Sequence, residues 1–144
     1  MTNNIPIHFF YEDCSFRVQN TNRIKTWLLE VLNKESATVG NINYIICSDN
    51  YLLEINRRYL DHDYYTDIIT FPSSEPPEPI EADIFISIDR VRENAATLEK
   101  AFSNEFHRVL VHGILHLLGY NDSSNREKQE MRIKEDSCLS LRDF

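Results

Sequence analysis

Apolar positions along the chain change their period repeatedly, and each change predicts an element. Ile7, Phe9 and Tyr11 alternate with His8 and Phe10, the two-residue period of a strand. From Ile24 to Leu32 the spacing becomes helical, with Trp27, Leu28 and Val31 turned inward and Thr21 or Asn22 as the N-cap. Val39 to Cys47, carrying Ile42, Tyr44, Ile45 and Ile46, returns to a strand. Ser48-Asp49-Asn50 then caps a helix in which Leu52, Leu53, Ile55 and Tyr59 recur at helical spacing. Asp67 to Phe71 is a short β-branched run closed by Pro72, and the proline-rich Ser73 to Pro79 reads as an exposed loop. Ala82 to Ile88 is the next strand, and Asp89 caps a helix to Lys100. Ser103 caps another helix with Phe106 as an early core residue. Ser124 opens a final helix, in which Met131 packs near the site and Glu127, Lys128, Glu130, Lys134 and Glu135 form the wet face. Strands alternate with helices, and helices then accumulate. That order predicts one α/β domain of mixed α+β character over residues 1–144, a small mixed β-sheet packed with helices.

Composition agrees with a single globular unit. The chain has 144 residues, near the modal domain size, with 42% hydrophobic and 26% charged residues. The N-terminal Met-Thr-Asn-Asn-Ile-Pro-Ile has neither a basic leader nor an apolar core, and no run reaches the roughly 18 apolar residues of a membrane span, so a cytoplasmic protein is expected. Cys14, Cys47 and Cys138 are widely spaced and odd in number, which reads as reduced structural thiols.

The chemistry concentrates between Ser103 and Asp122. His112 and His116 lie four apart, one above the other on a helix and near enough to share a cation. Glu105 and Arg108 extend this polar stripe toward the helix start. Val109, Leu110, Val111, Ile114, Leu115, Leu117 and Leu118 make the rest of the helix apolar, as a buried element would be. Gly119 supplies a stop, and the turn after it brings Asp122 back toward the histidine face. Two imidazoles and one carboxylate from a helix and its following loop leave a coordination position for water. The metallopeptidase pattern with this histidine spacing places a glutamate after the first histidine as general base, and here that position is Gly113. His62, in the polar and aromatic stretch Asp61 to Tyr65, reads as part of a solvated loop. Asp83 either supports a site from behind or marks an exposed strand end.

These residues resemble the bacterial rRNA maturation endoribonucleases of the YbeY type. The resemblance rests on His112-Gly113-Ile114-Leu115-His116-Leu117-Leu118-Gly119-Tyr120, on Thr66-Asp67-Ile68-Ile69-Thr70-Phe71-Pro72, and on Ala82-Asp83-Ile84. It implies a similar architecture and a zinc-dependent, single-strand-specific endoribonuclease. The implied role is maturation of the 16S rRNA 3′ end and ribosome quality control, with rRNA and the ribosome or its assembly factors as partners. Two departures stand out. The family places Asp-His after Gly-Tyr, with that histidine as third zinc ligand, whereas this chain has Asn121-Asp122; the ligand set becomes His112, His116 and Asp122. The family also has an arginine after the tyrosine of the second helix, where Leu60 stands here. Arg57 and Arg58 are the nearest substitutes and the candidate catalytic arginines.

A net charge of −8 disfavours an extended nucleic-acid surface. Arg57, Arg58, Arg90, Arg92 and Arg108 either gather into a local basic groove leading to the metal or are scattered and solvated. Three other functions compete with a nuclease: a metal-dependent peptidase or amidohydrolase, a non-catalytic ribosome-assembly factor with a structural metal, and a non-haem iron oxygenase using two histidines and one carboxylate.

Overall fold

In the computed structural model, which describes residues 5–144, the sequence periods become four strands and five helices. In chain order they are β1 (Ile7–Glu12), α1 (Thr21–Lys34), β2 (Val39–Cys47), α2 (Asp49–Leu60), β3 (Ile68–Pro72), β4 (Ile80–Ser87), α3 (Ile88–Thr97), α4 (Phe102–Leu117) and α5 (Asn125–Leu139). The sheet order is β1-β2-β4-β3. β1, β2 and β4 run parallel, while β3 pairs antiparallel with β4 at the edge. The parallel pairs need crossovers, which the intervening helices supply; the Ser73 to Pro79 loop joins the antiparallel pair and is largely exposed. The expected mixed α/β arrangement is therefore present.

Alternation along the two central strands decides what covers each face. Ile42, Tyr44 and Ile46 of β2 and Ile84 and Ile86 of β4 point into one core with Ile24, Trp27 and Leu28 of α1 and Phe106, Leu110 and Ile114 of α4. Asp83 and Phe85 face the other way, where α2 covers a smaller cluster of Cys47, Leu52 and Ile69. Asp83 is exposed and accepts a hydrogen bond from Asn43 Nδ2 at 3.1 Å, so it belongs to the sheet face opposite α4.

Two contacts set how closely α4 lies on the sheet. A Cβ at Gly113 would come within 3.0 Å of Ile68 Cδ1 and 3.2 Å of Ile84 Cγ2. The missing side chain lets the helix approach β3 and β4. Next to it, the fully buried Tyr44 hydroxyl donates to the Leu110 carbonyl at 2.7 Å, tying β2 to the turn preceding His112.

Helix starts differ from expectation at three places. α1 begins at Thr21, with Asn20 as an N-cap in the left-handed region and no capping side chain, so neither Thr21 nor Asn22 is the cap. α3 begins at Ile88, capped by the Ser87 hydroxyl, which accepts from Arg90 N. Asp89 instead accepts from the backbone N–H of Asp49 and so caps the neighbouring α2, whose own cap is Ser48. A capping side chain from another element leaves no local sequence signal. α4 begins at Phe102, two residues before its expected start, because Phe102 stacks on Phe106 and both meet Phe16 edge-on. Ser124 caps α5 through a capping box with Glu127, as its spacing predicts.

The C-terminus closes over a buried histidine. Arg142 Nη1 donates to His107 Nδ1 at 2.7 Å, and Trp27 and Phe144 pack around the ring. Burial first, and the Arg142 guanidinium second, push the His107 pKa down from 6.5 to about 4.

Two outcomes follow from this packing. Gly113→Leu adds a side chain where the sheet already touches the helix, and overpacking of this kind costs about 1–3 kcal/mol, read as a lower urea midpoint with an unchanged slope. For His107, the unfolded chain takes up a proton near pH 6.5 and the folded chain only near pH 4. Folding stability therefore falls as pH drops through that interval, by up to about 3 kcal/mol for this one group. His107→Gln retains an acceptor for Arg142 and removes the titration, so urea melts across the same interval should show a flatter dependence.

Candidate metal centre

Helical spacing stacks His112 above His116 on the open side of α4, with ring centroids 4.5 Å apart. The helix closes at Leu118, and Gly119 takes a φ of +100°, a conformation that L side chains rarely adopt. Gly119 N–H donates to His116 O and Tyr120 N–H to Leu115 O, both at 3.0 Å, the pair of bonds of a Schellman turn. That turn reverses the chain. Glu127 Oε1 then accepts from the backbone N–H of Ser123 and Ser124, fixing the far end of the loop at the start of α5.

Between these two anchors Asp122 faces the histidines. Its Oδ2 lies 3.4 Å from His112 Nε2 and 3.5 Å from His116 Nε2, and the three ligand atoms all fall within 4.8 Å of one another. Ligand atoms about 2.0–2.2 Å from a tetrahedral zinc are separated by about 3.4 Å. The donor set therefore fits one divalent cation, with its atoms already near coordination spacing. All three side chains are partly exposed, so solvent reaches the point they share.

Behind His112 the structure departs from the sequence reading. Glu135 is not on the wet face of α5. Its side chain is 5% exposed, and Oε2 lies 2.6 Å from His112 Nδ1. Arg108 Nη1 donates to the other carboxylate oxygen at 2.9 Å and Nη2 donates to Asp136. The missed signal was spacing: Met131, Glu135 and Cys138 share the buried side of α5. A charge on that stripe marks a residue with a buried partner. Met131 is buried one turn before Glu135, inside the main core.

Asp67 and Glu105 line the same hollow with Arg108, His112 and Arg132. Burial raises the pKa of Asp67 while His112 opposes it, and burial raises that of Glu105 while Arg108 and Arg132 oppose it. Burial disfavours a charged His112, but the bond to Glu135, with Asp122 and Asp67 nearby, outweighs it and the net direction is upward. Asp67 follows the Asp61 to Tyr65 stretch by two residues and lies beside the site. Within that stretch His62 stacks on Tyr64 and its Nδ1 meets the Tyr64 hydroxyl at 3.0 Å, so His62 stands apart from the ligand group.

The arginines do not converge into one basic groove. Arg57 pairs with Glu54 and Asp63, Arg90 with Asp49 and Glu93, Arg92 with Asp89, and Arg108 with Glu135 and Asp136. Arg58 is exposed in the last turn of α2, with no carboxylate partner among the described residues. Cys14, Cys47 and Cys138 are free thiols, and burial pushes Cys47 up to about 12, which makes it inert as a nucleophile. No helix among the described residues is long and apolar enough to cross a membrane.

The family Endoribonuclease YbeY matches residues 9–142. A Cytophaga hutchinsonii protein named Endoribonuclease YbeY is 54% identical over 96% of this chain and 96% of its own length. Relatives of the same name from Flavobacterium psychrophilum and Porphyromonas gingivalis are 47% and 42% identical, each over 94% of this chain and over 95% and 89% of their own lengths. The solution structure of a Thermotoga maritima protein superposes with a TM-score of 0.67 at 28% identity, covering 94% of this chain and 87% of that one. With the family matched over residues 9–142 and a relative of that name 54% identical over 96% of the chain, the chain belongs to the YbeY endoribonuclease family.

Proposed function

We propose that this protein is a cytoplasmic, metal-dependent endoribonuclease specific for single-stranded RNA, acting in maturation of the 16S rRNA 3′ end and in ribosome quality control. Its partners are then rRNA and the ribosome or its assembly factors. One observation carries the reading: both imidazole Nε2 atoms face the same Asp122 oxygen at 3.4 and 3.5 Å, on an opening that solvent reaches. Family membership supplies the substrate class, through relatives named for endoribonuclease activity.

His112, His116 and Asp122 are the residues that would hold the cation, which we take to be zinc. A bound divalent cation supplies an acidified water and a Lewis acid for a phosphoryl oxygen. The chain's own contribution is to hold three donors on two anchored elements, so that little reorganisation precedes binding. A carboxylate in place of a third imidazole adds one negative charge, which softens the preference for zinc and makes harder cations such as manganese more competitive.

Arg58, with Arg57 beside it, is the proposed phosphate contact. Arg58 retains a free charge in the last turn of α2, and the chain runs from there through the exposed Tyr64 and Tyr65 to Asp67 at the edge of the site. Arg57 already spends its charge on Glu54 and Asp63.

A peptidase reading meets a steric objection. Position 113 points at Ile68 and Ile84 of the sheet, so a general-base carboxylate there would be buried against isoleucine rather than aimed at the cation.

Three measurements test the proposal. Metal analysis should find about one divalent cation per wild-type chain and its loss in His112→Ala and His116→Ala; the wild-type protein should cleave single-stranded RNA and leave casein intact, while both variants fall to background. Equal metal content in wild type and variants would remove the site. Asp122→His should retain the cation and raise the ratio of zinc to manganese affinity, measured by competition titration. Arg58→Ala should weaken RNA binding and lower the slope of log K against log salt by about 0.7, with a smaller effect from Arg57→Ala.

A further inference from the structure

We infer that Glu135 is the positioning residue for His112: buried between Arg108 and the imidazole, it fixes the Nδ1–H tautomer and so leaves the Nε2 lone pair free for the cation. This inference rests on the proposed reading of the metal centre and adds a residue to it. Every hydrogen-bonding atom of the arrangement has a determined direction. A guanidinium can only donate, so Glu135 Oε1 accepts from Arg108 Nη1 at 2.9 Å. The remaining oxygen, Oε2, lies 2.6 Å from His112 Nδ1, and a carboxylate can only accept there. The proton of a neutral His112 therefore resides on Nδ1. Its Nε2, 3.4 Å from Asp122 Oδ2, keeps a lone pair at the point shared with His116.

The support is rigid as well as directional. Glu135 is 4% exposed as a residue, and Arg108 is held a second time by Asp136, so the carboxylate cannot rotate away without abandoning a partly buried guanidinium. A metal-bound histidine commonly donates its second N–H to such a carboxylate, which raises ligand basicity and fixes the ring.

Glu135→Gln discriminates this role from simple packing. Arg108 still requires an acceptor, so the amide oxygen turns toward Arg108 and the amide NH2 toward His112. That NH2 donates to Nδ1 and moves the imidazole proton to Nε2, the atom needed by the cation. Shape is preserved while the tautomer is reversed.

The experiment combines two readouts on purified full-length protein. Nitrogen-15 correlation spectra of the metal-free wild type, recorded at a pH high enough for the ring to be neutral, should show His112 protonated on Nδ1; a neutral ring protonated on Nε2 would overturn the inference without any variant being made. Zinc titration by competition with a chromophoric chelator should then show binding to Glu135→Gln weakened about 10–100-fold, the range seen when outer-shell partners of metal ligands are removed. Circular dichroism verifies that the variant is folded. Asp136→Asn, which loosens Arg108 from its exposed side, should weaken zinc less than Glu135→Gln. Wild-type zinc binding with unchanged affinity in folded Glu135→Gln overturns the role of Glu135 alone, whereas absence of zinc binding in the wild type overturns the metal centre itself.

Discussion

The centre exists because α4 lies against the sheet with no side chain between them at position 113. Ile68 and Ile84 occupy the space where a Cβ would stand, so the backbone of the helix sits directly on β3 and β4. One residue away, His112 lines the same hollow as Asp67, which immediately precedes β3, and the buried Tyr44 hydroxyl fastens the preceding turn to β2. A helix seated farther out would lose both contacts. Close packing is what makes a side chain on one element a fixed point for groups on another.

Around that fixed point, the ligands are supplied by two kinds of constraint. His112 and His116 come from regular helix, where spacing alone aligns them. Asp122 comes from an irregular loop, which is short, closed at one end by the Schellman turn at Gly119 and at the other by the capping box of Ser124 and Glu127. Tyr120 within the loop donates to Glu35, and Lys134 of α5 reaches the same carboxylate, so the loop and the last helix are joined to the end of α1 as well. A loop held at this many places behaves like part of the scaffold.

Charge distribution supports catalysis at a point rather than along a surface. The chain carries a net charge of −8, and most of the arginines near the motif-bearing segments are matched by carboxylates. Arg108, which the sequence suggests as part of a basic path, is committed to Glu135 and Asp136 inside the fold. Its function is exerted through a neighbour, by holding the carboxylate that faces His112. With most of these arginines paired, the motif-bearing segments have limited positive charge left to neutralise phosphates.

The sequence by itself determined the element types, the mixed α/β class and the grouping of His112, His116 and Asp122, which could hold a metal ion. Each of these is written in local spacing: two-residue alternation in β2 and β4, four-residue spacing in His112 and His116, a glycine where the chain must enter the left-handed region. Helix starts were less legible, because Asp89 caps α2 rather than its own helix and Phe102 extends α4 by packing on Phe106 and Phe16. Only the tertiary structure decided the role of Glu135. Along α5 it is one acid among several, and although its spacing with Met131 and Cys138 puts it on the buried side, that spacing does not say which group it meets there. Its pairing with His112 and Arg108 is a property of two helices brought together 23 and 27 residues apart in the chain, and the identity of the partners has no trace in the spacing of either segment. The same holds for Arg57 and Arg58, adjacent in sequence yet different in charge state of their surroundings, since Glu54 and Asp63 reach one and not the other.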